Sequence, residues 1–505
     1  MPRLRFDVLA NVLGQGWAVL IGLLFVPFFV QQLGVERFAV IALVPVAAAL
    51  LQVMDLGLAV TLNRELARQA GTAAGSARST AFTLFLAHLA IGALVCAAAL
   101  AVAATAGPGW LDEPAAITST ELAQGVLLLA VLVALQWPLP LFQNGLMGLG
   151  RQARVNALVA LNATVANVGA ALLVALGHAT LPAYLGWFAV CAALHSVAAG
   201  WLLWRSLPPA ATATRFDRAT LARVGRFSGG AAGINLTGVL LMHADRLIAS
   251  RLLTLEQFGY YGLATTIGRS VYLLIAPVYS AVFPRLAGLV AQKSHSELAN
   301  LYSAASQLMA FAIAPPAAVI FWLGFDAAYA WLGSTSTATA VAGLAAALIL
   351  GSALNGLMNL PYALQLAFGI TRVGLGIYVL LLVLTVPAAY ALQAGFGATG
   401  VASTWLVINV MYFAIGVPVT HRVTGISSVA RWVLRDVLPP VAAAFIGVGI
   451  VHAAFGTGAT RIGAAVLVAG ALATGYACAL GAAPTVRGEA RKLLHGMWRA
   501  GAAPR

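Results

Sequence analysis

Apolar runs long enough to cross a bilayer recur along almost the whole chain, separated by short polar gaps. They lie near 9–30, 38–62, 80–106, 122–149, 155–177, 183–204, 227–251, 259–284, 301–324, 338–365, 373–394, 400–420, 437–455 and 462–482. About 20 apolar residues suffice to span some 30 Å of hydrocarbon as helix. The pattern therefore predicts an all-α polytopic membrane protein with about fourteen transmembrane helices. Composition agrees, since a chain that is 61% hydrophobic and 8% charged has more apolar surface than a water-soluble core can enclose.

The few charges supply an orientation. Of 28 basic residues, 23 fall in every second gap, among them Arg64 and Arg68, Arg151 and Arg154, a group from Arg205 to Arg226, Arg285, Arg372 and Arg422. The other gaps hold only Arg37, Arg251 and Arg461, and Arg246 and Arg269 lie inside apolar runs. The positive-inside rule then places both termini in the cytoplasm. Twelve spans would also put both ends inside, but fourteen keeps the alternation unbroken. The net charge of +14 would suggest nucleic acid in a soluble protein; here the basic loops explain it, and no nucleic-acid partner is expected. The N-terminal run exceeds a signal-peptide core and reads as an uncleaved span. Residues 484–505 set Val486, Leu493, Met497 and Trp498 against Arg487, Arg491 and Lys492, as in a helix lying on anionic headgroups. Cys96, Cys191 and Cys478 stand singly, so neither a metal site nor a disulfide is expected.

The chain also repeats itself. Leu33-Gly34-Val35-Glu36-Arg37-Phe38-Ala39 recurs 220 residues later as Leu253-Thr254-Leu255-Glu256-Gln257-Phe258-Gly259. At nearly the same offset, Asn63-Arg64-Glu65-Leu66-Ala67 corresponds to Pro284-Arg285-Leu286-Ala287. Six spans separate the copies, so the halves share one orientation, as parallel repeats do. The expected organisation is a six-helix lobe at 1–205, a cytoplasmic linker at 206–226, a second six-helix lobe at 227–421, two further spans at 422–483 and the tail at 484–505. Two equivalent lobes on a flexible connection suit alternating access.

These residues resemble a known family. The Asn11 helix, the Leu33-Gly34-x-Glu36-x-Phe38 turn and Asp55-Leu56-Gly57-Leu58 followed by Asn63-Arg64 are similar to the first quarter of the Wzx-type polysaccharide flippases. In the second half Asp245-Arg246, Phe258-Gly259-Tyr260-Tyr261 and Val282-Phe283-Pro284-Arg285 are similar too. The resemblance covers roughly 8–420 and extends to a superfamily that also holds multidrug exporters and lipid II flippases. It implies two lobes around a cationic cavity. The implied activity is movement of an undecaprenyl-diphosphate-linked oligosaccharide, such as an O-antigen or exopolysaccharide unit, from the cytoplasmic to the periplasmic leaflet. Polysaccharide polymerase machinery is the partner class such a transporter would serve. No cofactor is implied, and coupling to H+ or to Na+ stays open.

A diphosphate crossing hydrocarbon needs cationic neutralisation, for which arginine offers a permanent charge and a planar fork. Arg269 sits mid-span, where a central arginine costs roughly 2.5–3.5 kcal/mol on insertion scales. It must meet Asp245 or Asp55 from another helix, face a wet cavity or bind an anion. Arg246 shares a helix face with His243, three residues before it, while Asp245 points elsewhere; snorkelling of Arg246 to the interface is the alternative. Arg64 and Arg285 close equivalent spans and are positioned to collect the diphosphate at the inner mouth, or are ordinary positive-inside residues. Asp55, Asp245 and His243 are the ion-coupling or cavity candidates. For Asp55 the competing reading is a carboxylate that holds an arginine or caps a helix break before Gly57. Gln15, Asn235, Asn355 and Asn359 are candidates for lining the glycan path, with helix packing as the default. His88 and His195 read foremost as histidines bonded to a neighbouring helix.

Two rivals have recognisable signatures. A membrane glycan polymerase or glycosyltransferase needs a sizeable outer loop with acid or base groups, and the longest outer segment, 107–121, offers little room. No Walker motif or HExxH occurs, so no catalytic residues are assigned and the chain reads as a transporter, not an enzyme. A multidrug exporter would favour an acid-rich aromatic pocket, whereas two arginines balance two aspartates inside the spans here, which favours an anionic substrate.

Overall fold

A computed structural model describes residues 2–69, 77–105, 116–209 and 214–501; side chains are described for these except 2–13, 15, 52, 103, 219, 223–236, 371 and 493–501. Among the described residues every regular element is a helix and none is a strand. Among the described residues eleven helices are long and apolar enough to cross a membrane. One of them, Arg372–Thr424, carries two of the expected spans, because Gly397 with φ +58° and ψ −136° breaks the helix containing it. The expected span at 227–251 lies within the Arg218–Leu252 helix. The second expected span, 38–62, is built differently: it comprises three short helices, Val35–Ala42, Val44–Met54 and Leu58–Gln69.

The chain divides into two compact units, Met1–Gly259 and Tyr260–Arg505. The Arg218–Leu252 helix packs on Val44–Met54, Leu58–Gln69 and Ala77–Thr105, so the first unit reaches one span beyond the linker expected at 206–226. Its core gathers Leu62, Leu84, Leu141, Leu146 and Leu203, each at most 2% exposed. Segments assigned to one side by the charge pattern bond to each other. Arg37 pairs with Glu121 through Nε at 2.6 Å and Nη2 at 2.9 Å, and Glu121 also accepts from the Leu181 amide at 2.8 Å. On the opposite side Arg78 donates to the carbonyl of Pro208 at 2.9 Å. Close helix approach depends on small residues: a Cβ on Gly148 would lie 2.4 Å from the Asn63 carbonyl oxygen, the packing mode that replaces the hydrophobic effect in lipid.

In the second unit Thr335–Ala367 packs along Thr371–Thr424 and against His295–Trp322. The two last spans, in Leu438–Phe455 and Arg461–Ala482, pack on His295–Trp322 and on each other. Tyr476 donates to the Ala312 carbonyl at 3.1 Å and Trp322 to that of Phe445 at 3.1 Å. At the entry to the first of these spans a π-helical turn, Trp432–Val437, buries Asp436 against Ser303 and Gln307, which donate to it at 2.7 and 2.9 Å. A final helix, Pro484–Gly501, follows, and the amide of Thr485 donates to Gln307 Oε1 at 3.1 Å.

Candidate functional site

The break in the second span begins at Asp55. Leu56 and Gly57 both have positive φ, +52° and +78°. Glycine takes this left-handed conformation freely, but for a leucine it costs roughly 1–2 kcal/mol. Asp55, 7% exposed, offsets part of that cost by capping the helix that restarts at Leu58: its Oδ2 accepts from the Ala59 amide at 3.0 Å. The competing reading of Asp55 as a cap is thus realised, and it engages only one carboxylate oxygen.

The other oxygen faces His88. Asp55 Oδ1 lies 2.6 Å from His88 Nδ1, and neither atom has a hydrogen-bond partner among the described residues. His88 is 1% exposed and clamped by Trp137. Its Nε2 sits 2.9 Å from the Trp137 carbonyl oxygen, the Trp137 indole N–H donates to the His88 carbonyl at 2.9 Å, and the rings stack at 4.7 Å. Gly92, one turn beyond His88, makes room for the indole, since a Cβ there would come within 2.1 Å of Trp137 Nε1. Trp137 closes the Ser119–Gln136 helix. Pro138 and Pro140 follow it and supply no N–H, so the fourth span is interrupted beside the pair.

Asp55, His88, Trp137, Gln136, Gln143 and Pro140 line one small open cavity. A carbonyl only accepts, so Nε2 of His88 donates to the Trp137 carbonyl, which leaves Nδ1 facing the Asp55 carboxyl. Asp55 and His88 are the titratable residues of the cavity wall. On the elements packed around it, Glu65 is engaged by Arg64 and Arg68, Glu121 by Arg37, and His243, Asp245 and Arg246 all have partners.

The second unit has a broken span of its own. Between Leu255–Gly268 and Tyr272–Ala291 the chain tightens into a turn, with Ser270, Tyr272, Leu273 and Leu274 each donating to the carbonyl three residues back at 2.9–3.1 Å. Arg269 stands at this turn with its guanidinium carbon 5.2 Å from the centre of the Trp405 ring, a cation–π arrangement. Trp405 donates to Ser352 Oγ at 3.1 Å, and its carbonyl accepts from Asn409 Nδ2 at 2.7 Å. Asn409 Oδ1 accepts from Asn355 Nδ2 at 2.8 Å, and Asn355 Oδ1 from Tyr272 Oη at 2.9 Å. A ladder of amides and aromatic rings thus supports the arginine.

Of the other expected site residues, Asn359 joins this ladder by donating to the Asn355 carbonyl at 2.9 Å. Asp245 is 2% exposed, and it, His243, Arg246 and Arg269 all have partners. Arg64 lies 3.2 Å from Glu65, a 1% exposed carboxylate that also holds Arg68 at 3.0 Å. Arg285 is exposed. The side chains of Gln15 and Asn235, and those of Leu493, Met497 and Trp498 in the tail, lie outside the described ones. Sequence reasoning passed over His88 as a partner of Asp55 and Trp137 as its clamp. The signals that were present are Gly92 four residues after His88 and the Pro138-Pro140 pair after Trp137.

Comparison with known proteins follows the same lines. A sequence model of the family described as "Polysaccharide biosynthesis protein" matches residues 4–290. No curated relative matches the sequence. Among solved structures the chain is similar to an inward-facing multidrug resistance MATE family transporter of the MOP superfamily (16% identity, TM-score 0.67, 81% of this chain and 96% of that one). It is similar to the lipid II flippase MurJ in an inward closed conformation (10% identity, TM-score 0.71, 92% and 96%). A third likeness is to a MOP superfamily transporter from Pyrococcus furiosus, described as having a binding pocket of reverse polarity (18% identity, TM-score 0.56, 84% and 95%). At these identities the structures establish the two-lobed all-α transporter fold.

Proposed function

We propose, starting from the fact that this chain belongs to the polysaccharide biosynthesis protein family, that it moves an undecaprenyl-diphosphate-linked oligosaccharide from the cytoplasmic to the periplasmic leaflet of a bacterial inner membrane. The family match carries the reading, and Arg269 gives it a chemical centre. A permanently charged fork at a span break, resting on the Trp405 face, is suited to a diphosphate and unsuited to an organic cation. Arg246 is the second candidate for the diphosphate, and Arg64 and Arg285 for its capture at the inner face. Both termini are cytoplasmic in this reading, and the family's glycan polymerases act on the product; no chemical step is performed by the chain itself.

The Asp55–His88 pair is the coupling element, and it favours H+ over Na+. One carboxylate oxygen accepts from the Ala59 amide and the other faces an imidazole nitrogen, and an imidazole that takes up H+ competes with a metal cation for that oxygen. Gain or loss of a proton at this pair changes the attraction between the broken span and His88.

Reconstitution tests the reading. Lipid-linked oligosaccharides extracted from the cells that naturally express the protein are placed in liposomes with it, and exposure of the glycan on the far leaflet is followed. The native protein should transfer them, and Arg269→Ala should lower the rate by roughly tenfold to a hundredfold, the range expected for losing hydrogen bonds to a charged group. Export of a cationic dye without glycolipid transfer would instead establish a drug exporter.

A further inference from the structure

On the second unit a run of aromatic and amide side chains continues from the Arg269 ladder toward the inner end of the spans. Asn355, Asn359 and Tyr362 recur at helical spacing on one face of Thr335–Ala367 and cover about 10 Å of its axis at 1.5 Å per residue. Tyr272 and Tyr279, seven residues apart, share a face of the neighbouring Tyr272–Ala291 helix. Tyr362 and Tyr378 lie 5.9 Å apart, Tyr378 and Tyr412 5.6 Å apart, and the Tyr412 hydroxyl is 3.4 Å from that of Tyr378. Tyr279 stacks on Phe283 at 5.7 Å.

The commitments within this group are uneven. Asn355 spends both ends of its amide on Tyr272 and Asn409, so it is scaffold. Tyr279 and Tyr362 are half-buried, and neither hydroxyl bonds to another described residue. Asn359 donates to Asn355 and leaves its side-chain carbonyl oxygen uncommitted among the described residues. An interfacial belt would turn tyrosines singly toward headgroups; here three helices bring them near one another.

We infer that Tyr279, Tyr362 and Asn359 form a binding site for the neutral saccharide of the lipid-linked substrate, at the inner end of the second unit below Arg269. The inference rests on the flippase reading and assigns the sugar-binding part of it. Rings with a polar tip and an adjacent amide offer a sugar both a flat apolar face and hydrogen bonds. None of the three side chains is charged, which selects a neutral sugar over an acidic one. The diphosphate is then left to the arginine.

The test compares two ligands in bilayer nanodiscs: the extracted lipid-linked oligosaccharides and undecaprenyl diphosphate without sugar. The native protein should bind the glycosylated lipid more tightly. Tyr362→Leu should weaken that binding roughly fivefold to tenfold, by loss of aromatic contact, and leave undecaprenyl diphosphate within about twofold. Tyr362→Phe should recover most of the loss, and Tyr279→Leu repeats the measurement should the first variant fold poorly. Equal losses for both lipids, or none for either, overturn the saccharide site while native transfer in liposomes keeps the flippase reading standing. Native protein that binds neither lipid overturns both.

Discussion

The second span of each half is broken near its middle, and each break carries a charge, but of opposite sign. In the first unit the break at 55–57 is opened by two residues of positive φ and closed by a carboxylate that caps the next helix and faces an imidazole. In the second unit the break at 269–271 is a tightened turn bearing an arginine on an indole face. At the repeat offset Asp55 stands opposite Ile275 and Arg269 opposite Ala49. Corresponding spans are therefore interrupted at residues that do not correspond. The two corresponding spans carry unlike groups at these breaks, a carboxyl in one and an arginine in the other. Interrupted spans in equivalent places of two repeats are the usual position of a transporter's site, and the division suits a substrate with one anionic group and one neutral end.

The comparison breaks most readily at Asp55. Asparagine caps a helix as well as aspartate does, so Asp55→Asn keeps the break and removes the ionisable carboxyl. Acidifying the outer side should accelerate glycolipid transfer by the native protein, and Asp55→Asn should abolish that response in a liposome pH-jump assay. An unchanged response would place coupling elsewhere. A smaller effect is expected at the clamp. Gly92→Ala forces the indole off His88 and should destabilise the protein by about 1–3 kcal/mol, the usual cost of overpacking, read as a lowered melting temperature. The mildest change is Leu56→Gly, which removes the left-handed strain. It should stabilise the first unit by up to about 1 kcal/mol, the strain being partly offset by glycine's greater freedom when unfolded. If the strain stores part of the motion, Leu56→Gly should also flatten the pH response.

Much of the candidate site was visible in one dimension because charge in hydrocarbon is costly and therefore conspicuous. Asp55 and Arg269 stand out in apolar runs for that reason, and Asn355 and Asn359 as amides in a span. The pairings were not visible. His88 lies 33 residues from Asp55, and a histidine in a span carries no mark of which helix it meets. Glu65 likewise carried no mark of its burial beside Arg64 and Arg68.

What the sequence determined by itself was the solvent, the succession of spans, the alternation of charge and the family, because each depends on local composition and order. The breaks, the Asp55–His88 contact and the tyrosine cluster were decided by the tertiary structure. A leucine takes positive φ, an imidazole finds a carboxylate and four tyrosines meet only when distant helices pack, and lipid leaves that choice to shape and hydrogen bonding instead of hydrophobicity.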